Sequence, residues 1–314
     1  MNLARTLDWQ LNAAKIEGLI PFIFEGFDEV VALVSIRRAW RYFDRDFPFA
    51  RGLDHSPAYE SAEIMRSWDG EQRQQFLIFL LHHASPAIRA GAKMVRRAKG
   101  YDGKIATSQF LLPVTVLNEL AERMPTSDPM STLEDLVEHL RENSPDFLEI
   151  EDWEVELEAQ THETVALSEA HRPESEFWAA GLAVAVRPEI LRLGRGPLLV
   201  PGIMSKRLFR RNPDVSINEA LRLNLSEATA GLYAEISSAL KAYKAAQAEL
   251  GDLYSSSRAF DAWRFAYGIG PVSRLEIARA LDVTPKTAYA ATSVLVERGL
   301  AMLRKDKMLV AKAP

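Results

Sequence analysis

Cysteine is absent from the 314 residues, which excludes disulfides, thiolate metal sites and cysteine nucleophiles. Long apolar runs are lacking too. The longest near a helix centre is Phe76-Leu-Ile-Phe-Leu-Leu81, far short of the roughly 20 residues that span a bilayer. The start of the chain has no basic stretch leading into an apolar one, so no secretory signal and no membrane partner are expected, and a cytoplasmic location is. A basic excess is missing: 38 Lys and Arg stand against 43 Asp and Glu, for a net charge of −5. Gly-x-Ser-x-Gly and His-Glu-x-x-His do not occur. Gly194-Arg-Gly196-Pro has neither the lysine nor the following helix of a phosphate loop. His82 and His83 are adjacent and point apart on a helix. His139, His162 and His171 lie among carboxylates without ligand spacing. Neither a metal nor a cofactor is therefore expected, and nothing argues positively for catalysis. An enzyme with an unrecognised helical active site is the weakest of the functional readings.

The overall charge hides a sorting. Between Glu134 and Glu176 about fifteen carboxylates face only Arg141 and Arg172. The remainder of the chain is net basic by roughly eight charges. Phosphate contacts act within about 8–10 Å at ordinary ionic strength. Local charge thus decides whether a surface suits nucleic acid, and an acidic total does not exclude it.

The length suits two or three domains. Residues 1–143 read as a helical domain. Pro21 breaks its first helix, and Phe27, Val30, Val31, Leu33, Val34, Ile36 and Trp40 form a helical stripe. A short helix is expected over 61–68. Asp69 with Gln72 predicts a helix through His83, and Ser85-Pro86 opens one that runs to Lys99 before Gly100. Another is expected over 113–123, and Ser131-Thr132-Leu133-Glu134 caps one through Arg141. Residues 144–212 read as a small mixed α/β segment, with alternation over 147–157 suggesting a strand. Residues 213–251 read as a long connecting helix or helix pair. Ser216 and Glu219 cap it, and Leu221, Leu225, Leu232, Ile236, Leu240, Tyr243 and Leu250 form its apolar stripe. That stripe suits either a dimer interface or packing within the chain.

The last segment, 255–314, carries the densest local signals. Phe260, Trp263 and Tyr267 face inward from a first helix. Ser273 and Glu276 have capping-box spacing for a second, with Leu275, Ala278 and Leu281 on its inner face. Asp282-Val283 turns the chain. Thr284 and Pro285 start a third helix with Ala288, Ala291, Val294 and Leu295 inward, and Gly299 stops it. Arg304-Lys305-Asp306-Lys307 tips a hairpin.

Leu281-Asp-Val-Thr-Pro-Lys-Thr-Ala288 followed by Leu295-Val-Glu-Arg-Gly-Leu300 resembles the turn, third helix and wing entry of the winged helix-turn-helix superfamily, particularly its MarR- and GntR-like members. The resemblance covers about residues 258–312 and none of residues 1–250. It implies a C-terminal winged helix, which with the helical reading of the upstream residues makes a mainly α protein with a helical N-terminal domain. It also implies a regulator of transcription that binds double-stranded DNA. On that reading Thr284, Lys286, Thr287, Tyr289 and Ser293 face the major groove, and Arg304, Lys305 and Lys307 follow the backbone or minor groove. Arg298 suits a helix C-terminus as readily as a DNA contact. A homodimer is expected, because one small reading head gives limited specificity. No effector follows from the sequence.

The alternative is a winged helix that binds protein, in a scaffold or interaction factor of plasmid maintenance or chromosome organisation. Upstream, Arg89, Lys93, Arg96 and Arg97 share one side of a helix and could add phosphate contacts or simply be solvated. Arg37, Arg38, Arg41 and Arg45, and Lys206, Arg207, Arg210 and Arg211, are further basic clusters. The aromatics from Trp40 to Phe49 suit core packing more simply than base stacking.

Overall fold

Capping chemistry sets most of the helix ends. In a computed structural model of the chain, the residues described are 2–19, 26–42, 70–101, 129–143, 184–185, 197–205, 208, 215–253 and 257–312. Among them lie nine helices and one two-stranded antiparallel sheet, so the protein is mainly α. The helices are α1 (Asn2–Leu19), α2 (Phe27–Arg41), α3 (Gly70–Leu80), α4 (Pro86–Lys99), α5 (Pro129–Asn143), α6 (Ile217–Leu250), α7 (Ala259–Ile269), α8 (Arg274–Leu281) and α9 (Pro285–Glu297). The strands are β1 (Ala301–Leu303) and β2 (Leu309–Ala311). No helix among the described residues is long and apolar enough to cross a membrane. The helices expected over 61–68 and 113–123, the strand over 147–157 and most of the mixed segment lie outside the described residues.

α4 keeps the ends its sequence indicates. Ser85 Oγ accepts the Ile88 N–H, Pro86 occupies the first turn, and Gly100 closes the helix at φ 71°. α3 stops at Leu80 instead of continuing through His83. The reason is the next cap: the Ser85 N–H donates to His83 Nδ1 at 2.9 Å, drawing His83 into the turn. Arg89 then donates to the carbonyls of His83 and Ala84 at 2.6 and 2.8 Å. α5 begins earlier than expected, at Pro129, because proline fits a first helical turn. Ser131 is therefore an exposed residue inside the helix.

α2 lies at the centre. Residues 30–36 are all buried, as expected for a helix that is apolar on every side. It packs against α4, α6 and α7, while α1 lies along α6 and α5 packs on α6 as well. The segment 197–205 crosses α2 through one hydroxyl. Ser35 Oγ accepts the Leu199 N–H at 2.5 Å and donates to the Leu199 carbonyl at 3.3 Å. Asn224 of α6 secures the same segment by donating to the Ile203 carbonyl at 2.7 Å. α6 is one continuous helix capped by Ser216. Its buried stripe, including Leu221, Leu225, Leu232, Ile236 and Tyr243, is covered by α1, α2, α5 and α7 of the same chain.

The C-terminal helices join this core directly. Tyr243 of α6 meets Phe260 and Trp263 of α7 at centroid distances of 5.3 and 6.2 Å, and Trp263 stacks on Tyr267 at 5.2 Å. α7 also crosses α2 so closely that a Cβ on Gly268 would lie 2.3 Å from Leu33 Cβ. α8 is gripped between α4 and α9. Held from two sides, it buries Ile277, Ala278 and Ala280 and leaves Leu275 51% exposed. Of the expected inner face of Leu275, Ala278 and Leu281, Ala278 is buried and Leu281 packs half-buried against the core, and Leu275 alone is corrected to the exposed side.

Candidate nucleic-acid interface

Local hydrogen bonds fix α8, the turn and α9 with little freedom. The Glu276 N–H donates to Ser273 Oγ at 3.1 Å, and the Ser273 N–H donates back to Glu276 Oε2 at 2.7 Å. Lys99 of α4 donates to the other Glu276 oxygen at 2.6 Å. Burial pushes the Glu276 carboxyl up, but the bonds from Lys99 and Ser273 outweigh it and hold the group below its usual range. α8 ends at Asp282, which adopts the left-handed conformation at φ 55°. Thr284 Oγ1 caps α9 by accepting the Thr287 N–H at 3.2 Å, and the two threonine hydroxyls hydrogen-bond to each other at 2.9 Å.

α9 presents two different sides. Ala288, Ala291, Thr292 and Leu295 are buried. Thr284, Lys286, Thr287, Tyr289 and Ala290 are exposed, and Ser293 is half-buried. All five residues anticipated on this element therefore reach its accessible side. Gly299, at φ 72°, then turns the chain into β1. β1 and β2 pair with Met302 opposite Val310. Val272, in the α7–α8 connection, adds a bridge to Leu309 through bonds of 2.8 and 3.1 Å. The hairpin tip carries Arg304, Lys305 and Lys307, all exposed. Arg304 pairs with Asp306 at 3.3 Å. Lys307 sits at φ 63°, so it and Asp282 are the two non-glycine residues with positive φ among those described.

The upstream basic groups divide. Arg97 lies 3.9 Å from the Asp282 carboxylate, which brings the end of α4 beside the turn that precedes α9. Lys93 and Arg89 are exposed further back along the helix, and Arg96 is half-buried. The guanidinium of Arg89 is committed to the carbonyls that follow α3. Arg37 and Arg38 are internal braces. Both pair with Glu235, at 3.6 and 3.2 Å, and they donate to the carbonyls of Tyr267 and Ala228 respectively. Trp40 packs edge-on to Phe76, and Tyr42 donates to the Met204 carbonyl. Arg298 ties the end of α9 to that of α6, donating to Glu249 O at 2.9 Å and Asp252 Oδ2 at 2.8 Å. That bond holds the Asp252 carboxyl below its usual range. Arg45, the cluster at 206–211, and Phe43, Phe47 and Phe49 lie outside the described residues, apart from Leu208.

Arg274 escaped the sequence reading. Its guanidinium lies 4.1 Å from the centre of the Tyr289 ring. Its Nε donates to Thr292 Oγ1 at 3.1 Å, and Thr292 Oγ1 donates to the Tyr289 carbonyl at 3.0 Å. Tyr289 and Thr292 are an i, i+3 pair, which hints at a shared face, but nothing local points to an arginine from the preceding helix. Among the described residues no group of His, Asp and Glu side chains gathers closely enough to hold a metal ion. No protein-family model matches the chain, and no curated protein or solved structure matches it either.

Proposed function

We propose that residues 257–312 form a winged helix-turn-helix that binds double-stranded DNA, and that the chain is a transcriptional regulator acting as a homodimer. The observation that carries this reading is the outer side of α9. A capped helix start with Lys286, Thr287 and Tyr289 exposed stands beside a hairpin tipped by Arg304, Lys305 and Lys307. Exposed lysine and hydroxyl side chains near a helix start suit phosphate and base-edge contacts. Lys307 supports the same reading, since a left-handed position at a hairpin tip favours glycine, and a lysine kept there at a conformational cost suggests a use for its charge. Lys93 and Arg97 would extend the basic surface along α4. The stripe of α6 is occupied within the chain, so the proposed dimer contact uses other surfaces.

A second reading has its own observation. Leu275, Val296, Met302 and Leu303 are exposed apolar residues on the same unit, which favours a protein partner in a scaffold factor. Genomic footprinting of the intact protein separates the two. A dimeric regulator protects discrete sites built of half-sites about 10–10.5 base pairs apart, or a multiple of that. Protection that is absent or scattered without such spacing removes the regulator reading.

A further inference from the structure

We propose that Arg274 reads a guanine in the major groove, with Tyr289 and Thr292 as its positioning residues. The proposal rests on the DNA-binding reading above and names the base that this surface prefers. Arg274 opens α8, yet its side chain belongs to α9: the guanidinium carbon lies over the Tyr289 ring, 4.1 Å from its centre, and Nε is spent on Thr292. The terminal nitrogens have no partner among the described residues. What remains is a planar pair of N–H donors held in a fixed orientation on the flank of the exposed α9 side. Tyr289, 56% exposed, forms the floor under it.

Guanine presents O6 and N7 as two acceptors in the major groove, and a bidentate arginine matches them. The fit depends on the fork being oriented, and an arginine already held over a ring and bonded through Nε loses less freedom on binding. A phosphate contact needs only charge within reach. The double restraint on Arg274, by a ring and by a hydroxyl, is superfluous for a phosphate and useful for a base edge. A lysine at 274 would keep the charge and lose both the stacking plane and the Nε bond.

The experiment is selection from a library of randomised duplex DNA with the full chain. It compares the wild type with Arg274→Ala, Arg274→Lys and Tyr289→Leu, each checked for folding by its thermal transition. A salt titration of affinity accompanies each protein. The wild type is expected to prefer guanine at one position of its site by about 5- to 150-fold. Arg274→Ala should abolish that preference and leave the other positions unchanged. Arg274→Lys should weaken it at an unchanged salt slope, and Tyr289→Leu should weaken it with Arg274 intact. The proposal is overturned if Arg274→Ala weakens all sequences equally, lowers the salt slope by about 0.9 and leaves every preference in place, which is the signature of a phosphate contact. It is equally overturned if all three variants select the wild-type sequence. In both cases the DNA-binding reading survives. If the wild type selects nothing and binds no duplex, both fall together.

Discussion

Glu276 shows how one side chain can serve two structures at once. It completes the capping box at the start of α8 and accepts a bond from Lys99 of α4. The fold therefore prefers its ionised form, and its pKa is depressed. A depressed carboxylate contributes stability that is fully present above the unfolded-state value and is lost as the pH falls through the folded one. Glu276→Gln should therefore cost about 0.5–1 kcal/mol at pH 7. The gap to the wild type should close as the pH drops below about 4, near the ordinary glutamate range. Denaturant midpoints of both proteins at pH 7 and pH 3 check this, and a gap that stays constant would contradict it. Lys307 makes the opposite kind of case. Its left-handed backbone is disfavoured by about 1–2 kcal/mol for a residue with a Cβ, while glycine gives back part of that through a freer unfolded chain. Lys307→Gly should leave thermal stability unchanged or raise it, by up to about 1 kcal/mol. If the proposed DNA contact is made, the same change should weaken affinity for duplex DNA. A variant that melts clearly lower would remove the argument that this lysine is kept for contact.

At the scale of elements, the caps were readable and the packing partners were not. Ser85, Ser273, Thr284, Gly100 and Gly299 act on groups a few residues away, so their spacing alone locates helix ends. The inner face of α8 could not be read in this way. An eight-residue helix between two neighbours buries whichever sides those neighbours cover, and Ile277 and Ala280 displaced Leu275 for that reason. The end of α3 was missed because the imidazole of His83 serves the following cap. The α2–α7 crossing is a sharper case, since Gly268 looks like an ordinary weak helix residue in sequence. In the fold it lies so close to α2 that an added Cβ would be 2.3 Å from Leu33 Cβ, an atom that cannot rotate away. Gly268→Ala should destabilise by about 1–3 kcal/mol despite alanine's higher helix propensity. Thermal denaturation decides, and an alanine variant as stable as the wild type would mean that α2 and α7 do not cross so closely.

At the scale of the whole molecule, α7 and α8 are built into the helical body by α2, α4 and α6. A fragment of residues 257–314 should therefore be markedly less stable than the same helices in the full chain, because Phe265, Trp263 and Gly268 lose their cover. Circular dichroism melts of the fragment and the intact chain test this, and a fragment that melts with the same cooperativity and midpoint would contradict it. The candidate site was legible in part for a related reason. Lys286, Thr287, Tyr289 and the hairpin tip follow from the local pattern of one helix and one turn. Arg274 depends on how α8 crosses α9, and the proximity of Arg97 to Asp282 depends on how α4 meets α8.

In the function proposed above, residues 257–312 touch the phosphates of duplex DNA. The most direct measurement is the affinity of the full chain for random-sequence duplex as salt is raised from about 50 to 200 mM, with Lys286→Ala and Lys305→Ala alongside. The wild-type affinity should fall linearly on logarithmic axes. Each lysine variant should bind more weakly, with a slope shallower by about 0.9 for each phosphate that is no longer neutralised. Binding that is absent, or indifferent to salt and to both substitutions, would contradict the account.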